Sequence, residues 1–86
     1  MQASIMEMEH ALAVRVHPTG GYGDDYSWCC VIRPYGDLAV VELALISPTP
    51  DERRAAIAAI KARGFRRVQW ERVVDGERRT TREFRI

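Results

Sequence analysis

Leu12, Val14 and Val16 alternate with Ala11, Ala13, Arg15 and His17, the two-residue period of a strand with one face on a core. Pro18 ends that run. Tyr26 to Arg33 (YSWCCVIR) and Leu38 to Ile46 (LAVVELALI) read as two further strands joined by the turn Pro34, Tyr35, Gly36, Asp37. Two registers are open for this pair. A type I turn with a glycine bulge sets Arg33 opposite Asp37, whereas a tighter two-residue turn places Trp28, Cys30 and Ile32 on one face with Val41, Leu43 and Leu45. The pattern does not choose between them, because the third strand is apolar on both sides, as strands covered on both faces are.

At Ser47 the period changes to that of a helix. Thr49 suits the N-cap, Pro50 the first helical position, and Glu52 the third, which together make a capping box. Lys61 and Arg63 bring positive charge to the last turn, and Gly64 can take the left-handed conformation that ends the helix. Ala55, Ala56, Ile57, Ala59 and Ile60 form its packing side, with Phe65 turning back towards Ile60.

Phe65 to Val73 and Arg78 to Ile86 read as a closing hairpin. A three-residue loop, Val74, Asp75 and Gly76, sets Glu71 opposite Arg79 and Arg67 opposite Glu83, two opposite-charge pairs on the outer side. The same register turns Val68, Trp70, Thr80, Phe84 and the stem of Arg82 towards the helix. The expected fold is therefore α+β: β-β-β-α-β-β, a mixed five-stranded sheet with one helix packed on one face. Residues 1–8 show no clear period and are expected to be a flexible N-terminal leader, with residues 9–86 forming a single α+β domain.

Charge is uneven along the 86 residues. The first fifty carry two basic and six acidic side chains, the rest eleven basic and six acidic, and twelve of the thirteen cations are arginine. The two cysteines are adjacent and cannot form a disulfide framework, which points to a reducing compartment. The opening decapeptide is acidic and lacks an apolar run, and the longest apolar stretch falls far short of a bilayer span, so a cytoplasmic protein is expected.

Candidate chemistry is sparse. Cys29 and Cys30 point to opposite faces of one strand, a poor arrangement for joint ligation, and free cysteine packs as a small apolar group. Either could meet His17 as a nucleophile–base pair, or His17 and Asp24 as metal ligands, but no CxxC, HExxH or spaced His and Cys set supports this. The loop PTGGYGDD has the glycines of a phosphate cradle without its lysine or hydroxyl residue, and reads as a hairpin connection. The order strand, helix, strand in LAVVELALISPTPDERRAAIAAIKARGFRRVQW resembles the half-domain of GNAT-type acetyltransferases, over less than half of the chain. SPTPDE stands where that family carries its coenzyme A loop, and Asp51 and Glu52 oppose a pyrophosphate, so the activity is not carried over.

One helix can cover only one face of such a sheet. The expected function is thus a small non-catalytic protein-interaction module, homodimeric or bound to a larger assembly as an accessory protein or phage-type modulator (inhibitor). Its interface is expected at Cys29, Val31, Val40 and Glu42. The alternative is nucleic-acid binding through Arg63, Arg66, Arg67, Arg72, Arg78, Arg79 and Arg85. No catalytic residue, cofactor or metal is expected.

Overall fold

The structure is a computed structural model that describes residues 1–42, 46–74, 76–80 and 82–86, with backbone only for 72–74, 78 and 80. It is one compact α+β domain. In chain order the elements are β1 (Gln2–Met8), β2 (Ala11–His17), β3 (Trp28–Tyr35), β4 (Leu38–Glu42), α1 (Pro50–Ala62), β5 (Arg67–Val74), β6 (Glu77–Thr80) and β7 (Phe84–Arg85). The sheet runs β1-β2-β3-β4-β5-β6, with β7 also on β5, and only the β4–β5 pair is parallel.

The leader expected at residues 1–8 is a strand. β1 pairs antiparallel with β2 along its full length, which adds a sixth position to the sheet expected to have five. Its alternation is weak because Ala3 and Ile5 face the core while Met6 and Met8 occupy the opposite side, so apolar residues sit on both parities. His10 turns the chain between β1 and β2 with φ 63°, a left-handed conformation unfavourable for a residue with a Cβ.

The β3–β4 turn is the tight one. Tyr35 faces Leu38 and Ile32 faces Val41, with Gly36 supplying a φ of 60°. Trp28, Cys30, Ile32 and Val41 therefore share one face and are all buried. Leu43 and Leu45, expected on that face too, lie outside the described residues.

The closing hairpin departs from expectation. Val74 faces Glu77, so two residues connect the strands where three were expected, and Glu71 faces Thr80 instead of Arg79. That register alone would bring Glu83 to Val68. From Glu71 to Val68 is three steps along β5, but from Thr80 to Phe84 is four along its partner, so the partner strand carries one extra residue. This one-residue shift in register sets Phe84 opposite Val68 and Arg85 opposite Arg67, which keeps Phe84 on the apolar face. Arg67 still reaches Glu83 at 2.8 Å, diagonally, and also holds Asp37 at 2.7 Å.

The helix forms where and how its caps dictate. Thr49 Oγ1 accepts from the Glu52 amide, the Glu52 carboxylate accepts from the Thr49 amide, and Gly64 leaves the helix at φ 107°. Glu52 also accepts from Ser27 Oγ at 2.6 Å, so one carboxylate caps the helix and ties its start to the approach of β3. Ala56 and Ile60 are fully buried against Val14, Val16, Ile32, Val41 and Val68, with Phe65 in the same core. Trp28 and Trp70 stack at 5.8 Å between ring centres, and the Trp28 indole N–H donates to the Ile46 carbonyl. The guanidinium of Arg53 lies over both Trp70 and Phe84, 5.3 and 5.6 Å from their ring centres. No helix of the described residues is long and apolar enough to cross a membrane.

Candidate protein-binding face

Because the helix packs on one side of the sheet, strand alternation assigns every second residue to a side with no helix. On β3 these are Cys29, Val31 and Arg33, on β4 Val40 and Glu42, on β2 Ala11, Ala13 and Arg15, and on β1 Ser4, Met6 and Met8. Val31 sits between Ala13 and Glu42, Cys29 faces Arg15, and Val40 lies between Arg33 and Gln69. The four residues expected at the interface are thus brought together on one face. Cys29 is exposed and the other three are half-buried.

Arg33 and Glu42 on this face are matched to each other, and Arg15 lies over an aromatic ring. Arg33 Nε donates to Glu42 Oε2 at 2.7 Å across the β3–β4 ladder, and Arg15 stacks on the Tyr26 ring at 5.0 Å. A paired guanidinium and carboxylate lose less on desolvation than either alone, so the small apolar centre can be covered without orphaning a charge.

The two cysteines differ as their faces do. Cys30 is buried under the helix, and burial first, the neighbouring Cys29 second, push its thiol pKa up to about 12. It packs as an apolar group. Cys29 stands on the open face and is the thiol that a reagent reaches.

His17 follows the outer parity of β2 yet is almost completely buried, because the loop after it folds over the ring. Nδ1 lies 3.1 Å from the Asp24 carbonyl and 3.0 Å from that of Asp25, two acceptors that place the proton on Nδ1. Nε2 is then the acceptor for Ser4 Oγ at 2.6 Å. A hydroxyl against an imidazole is the pairing a serine nucleophile uses. Here the ring is enclosed and each nitrogen is committed to the protein, so the arrangement clamps the glycine-rich loop onto β1. Asp24 does not turn its carboxylate to His17 as a shared metal site would need; it accepts from the Gly21 amide. No group of metal-ligating side chains occurs among the described residues.

The arginines of the second half do not form one stripe. Arg63 pairs with Glu7, Arg67 with Asp37 and Glu83, and Arg79 lies near Glu77, while the side chains of Arg72 and Arg78 fall outside the described residues. Arg66, Arg67 and Arg85 do gather around Asp37 and Ile86 at a surface cleft. Asp37 is held below the ordinary carboxylate range by its hydrogen bond from Arg67. The tryptophans are spent in the core, which leaves tyrosines as the exposed aromatic groups for stacking on a base.

The sequence did not reveal Ser4, Met6 and Met8 as part of the open face, since β1 was unrecognised. It offered a hint in Ala3 and Ile5, spaced by two, and in the small residues Ala11 and Ala13. No family model matches the chain, and no match was found among curated proteins or solved structures.

Proposed function

We propose that this chain is a small protein-interaction module that binds another protein chain through the helix-free face of its sheet, acting as an accessory or modulator of a larger assembly and not as an enzyme. One observation carries the reading. A single helix among the described residues covers one face, while the other presents Ala13, Cys29, Val31 and Val40 beside the paired charges of Arg33 and Glu42. Such a surface suits the centre of an interface, where apolar groups dominate and unpaired charge is costly.

The test is a comparative capture. The double variant Val31→Lys/Val40→Glu puts Lys opposite Glu42 and Glu opposite Arg33, cross-strand attractions that keep the sheet paired while removing the apolar centre. A partner retained by the wild type and by Arg66→Ala, but lost by the double variant, supports the reading. Equal recovery by wild type and double variant overturns it.

A further inference from the structure

The two edges of the sheet are built differently. One ends in β6 and β7, short separate strands whose registers on β5 differ by one residue and which carry Glu77, Arg79, Glu83 and Arg85 in or beside them. Short strands and charge are devices that keep an edge from pairing with another chain. The other edge is β1, seven residues with no proline, lysine or bulge and with Glu7 as its one charge.

From this contrast we infer that two copies of the chain join through β1, antiparallel, about a two-fold axis at Ile5. The two-residue turn makes Met8 and Ala11 a hydrogen-bonded pair, so alternation directs the backbone groups of Gln2, Ser4, Met6 and Met8 towards β2. Those of Ala3, Ile5 and Glu7 point outward. The Ser27 amide donating to the Val16 carbonyl agrees, because it shows the even-numbered residues of β2 aimed at β3 and the odd ones at β1.

A register centred on Ile5 uses all three outward residues. Ile5 pairs with Ile5 of the second copy, and Ala3 with Glu7 at both ends, each pair exchanging both of its bonds. On the helix side Ile5 meets Ile5; on the open side Gln2 meets Met8 and Ser4 meets Met6. Each Glu7 faces an alanine and keeps its own Arg63. Centring the pair on Glu7 instead would set two carboxylates face to face, and centring it on Ser4 or Met6 would leave one of the three outward residues without a strand partner, so the Ile5 centre is the most complete self-complementary register. The helix braces β1 from behind, and the product is one continuous sheet with both helices on one side. Both open faces then lie together on the other, doubling the surface proposed above.

Sedimentation equilibrium of the purified chain tests this without any other partner. The wild type is expected to approach twice 9.8 kDa at micromolar concentration. Gln2 and Met8 are exposed, and their side chains meet only in the dimer. Gln2→Glu/Met8→Glu sets like charges opposite at two symmetric places and is expected to weaken association about fivefold, whereas Gln2→Lys/Met8→Glu is expected to tighten it by a similar factor. The two variants share the Met8 change and differ only in the charge at residue 2, which lies beside Gly21, so a urea titration of each variant reads any folding cost separately from association. A wild-type chain that stays monomeric overturns the inference, and so does a dimer indifferent to both variants, which would have formed through another surface.

Discussion

The two faces of this sheet are made by the same strands and end in opposite states. Beneath the helix, Val14, Val16, Ile32, Val41 and Val68 lose all contact with water. On the far side Val31 and Val40, their neighbours in the same strands, remain half in solvent, and Cys29 is exposed where Cys30 is not. For these valines and cysteines the residue type is the same on both faces, so their difference comes from what lies above them. A core residue is defined by its cover; the helix covers one face, and on the other the glycine-rich loop covers His17 while Val31 and Val40 stay half in solvent.

Substitutions should therefore divide sharply by face. Trp28→Ala removes the stack on Trp70 and the indole hydrogen bond. It should cost about 3–5 kcal/mol, a large share of the ~5–15 kcal/mol stability of such a domain, read as a loss of the cooperative urea transition near room temperature. His17→Ala strips a donor from two carbonyls and an acceptor from Ser4. Roughly 1–3 kcal/mol should be lost, with faster amide exchange through the glycine loop.

Glu52 joins the helix to β3, and its carboxyl is held below the ordinary range, chiefly by the Ser27 hydroxyl and next by the Thr49 amide. A depressed folded pKa contributes stability that is complete above the unfolded carboxyl range and fades as pH falls through the folded value. Glu52→Gln should lower the neutral-pH stability by about 1 kcal/mol and flatten the acid limb of the stability curve. An acid limb identical to wild type would show that this link does not operate. In the opposite direction, His10→Gly relieves the left-handed turn and should raise stability by about 0.5–1 kcal/mol in the same denaturant titration.

The smallest effect should come from the open face. Val31→Thr and Val40→Thr ought to shift stability by no more than about 0.5 kcal/mol each, because these side chains pack against nothing that collapses when they turn polar. Costs like those of the core would erase the distinction between the faces.

How much of this was legible depended on how many constraints each segment carried. The helix was readable because Thr49, Pro50, Glu52 and Gly64 each specify backbone geometry independently of the rest of the fold. β2 was readable from its alternation. β1 was not, since an edge strand needs one partner and little burial, and Met6 and Met8 contradict the alternation begun by Ala3 and Ile5. The closing hairpin is not legible from its charge pairs because it does not keep a single register along its length. Phe84 and Trp70 do share a face, but the chain meets that requirement with a two-residue connection and a register that shifts by one between β6 and β7. The open-face residues Cys29, Val31, Val40 and Glu42 were recognisable from β3 and β4 alone, while the Ser4–His17 clamp depends on β1 and could not be seen without it.

The adjacent cysteines provide paired reporters of the two faces. In the free protein a maleimide should modify Cys29 readily and leave Cys30 untouched. With the captured partner bound, Cys29 labelling should slow by at least about tenfold while the buried thiol stays silent. If Cys29 in the complex reacts as fast as in the free chain, the helix-free face is not where the partner sits.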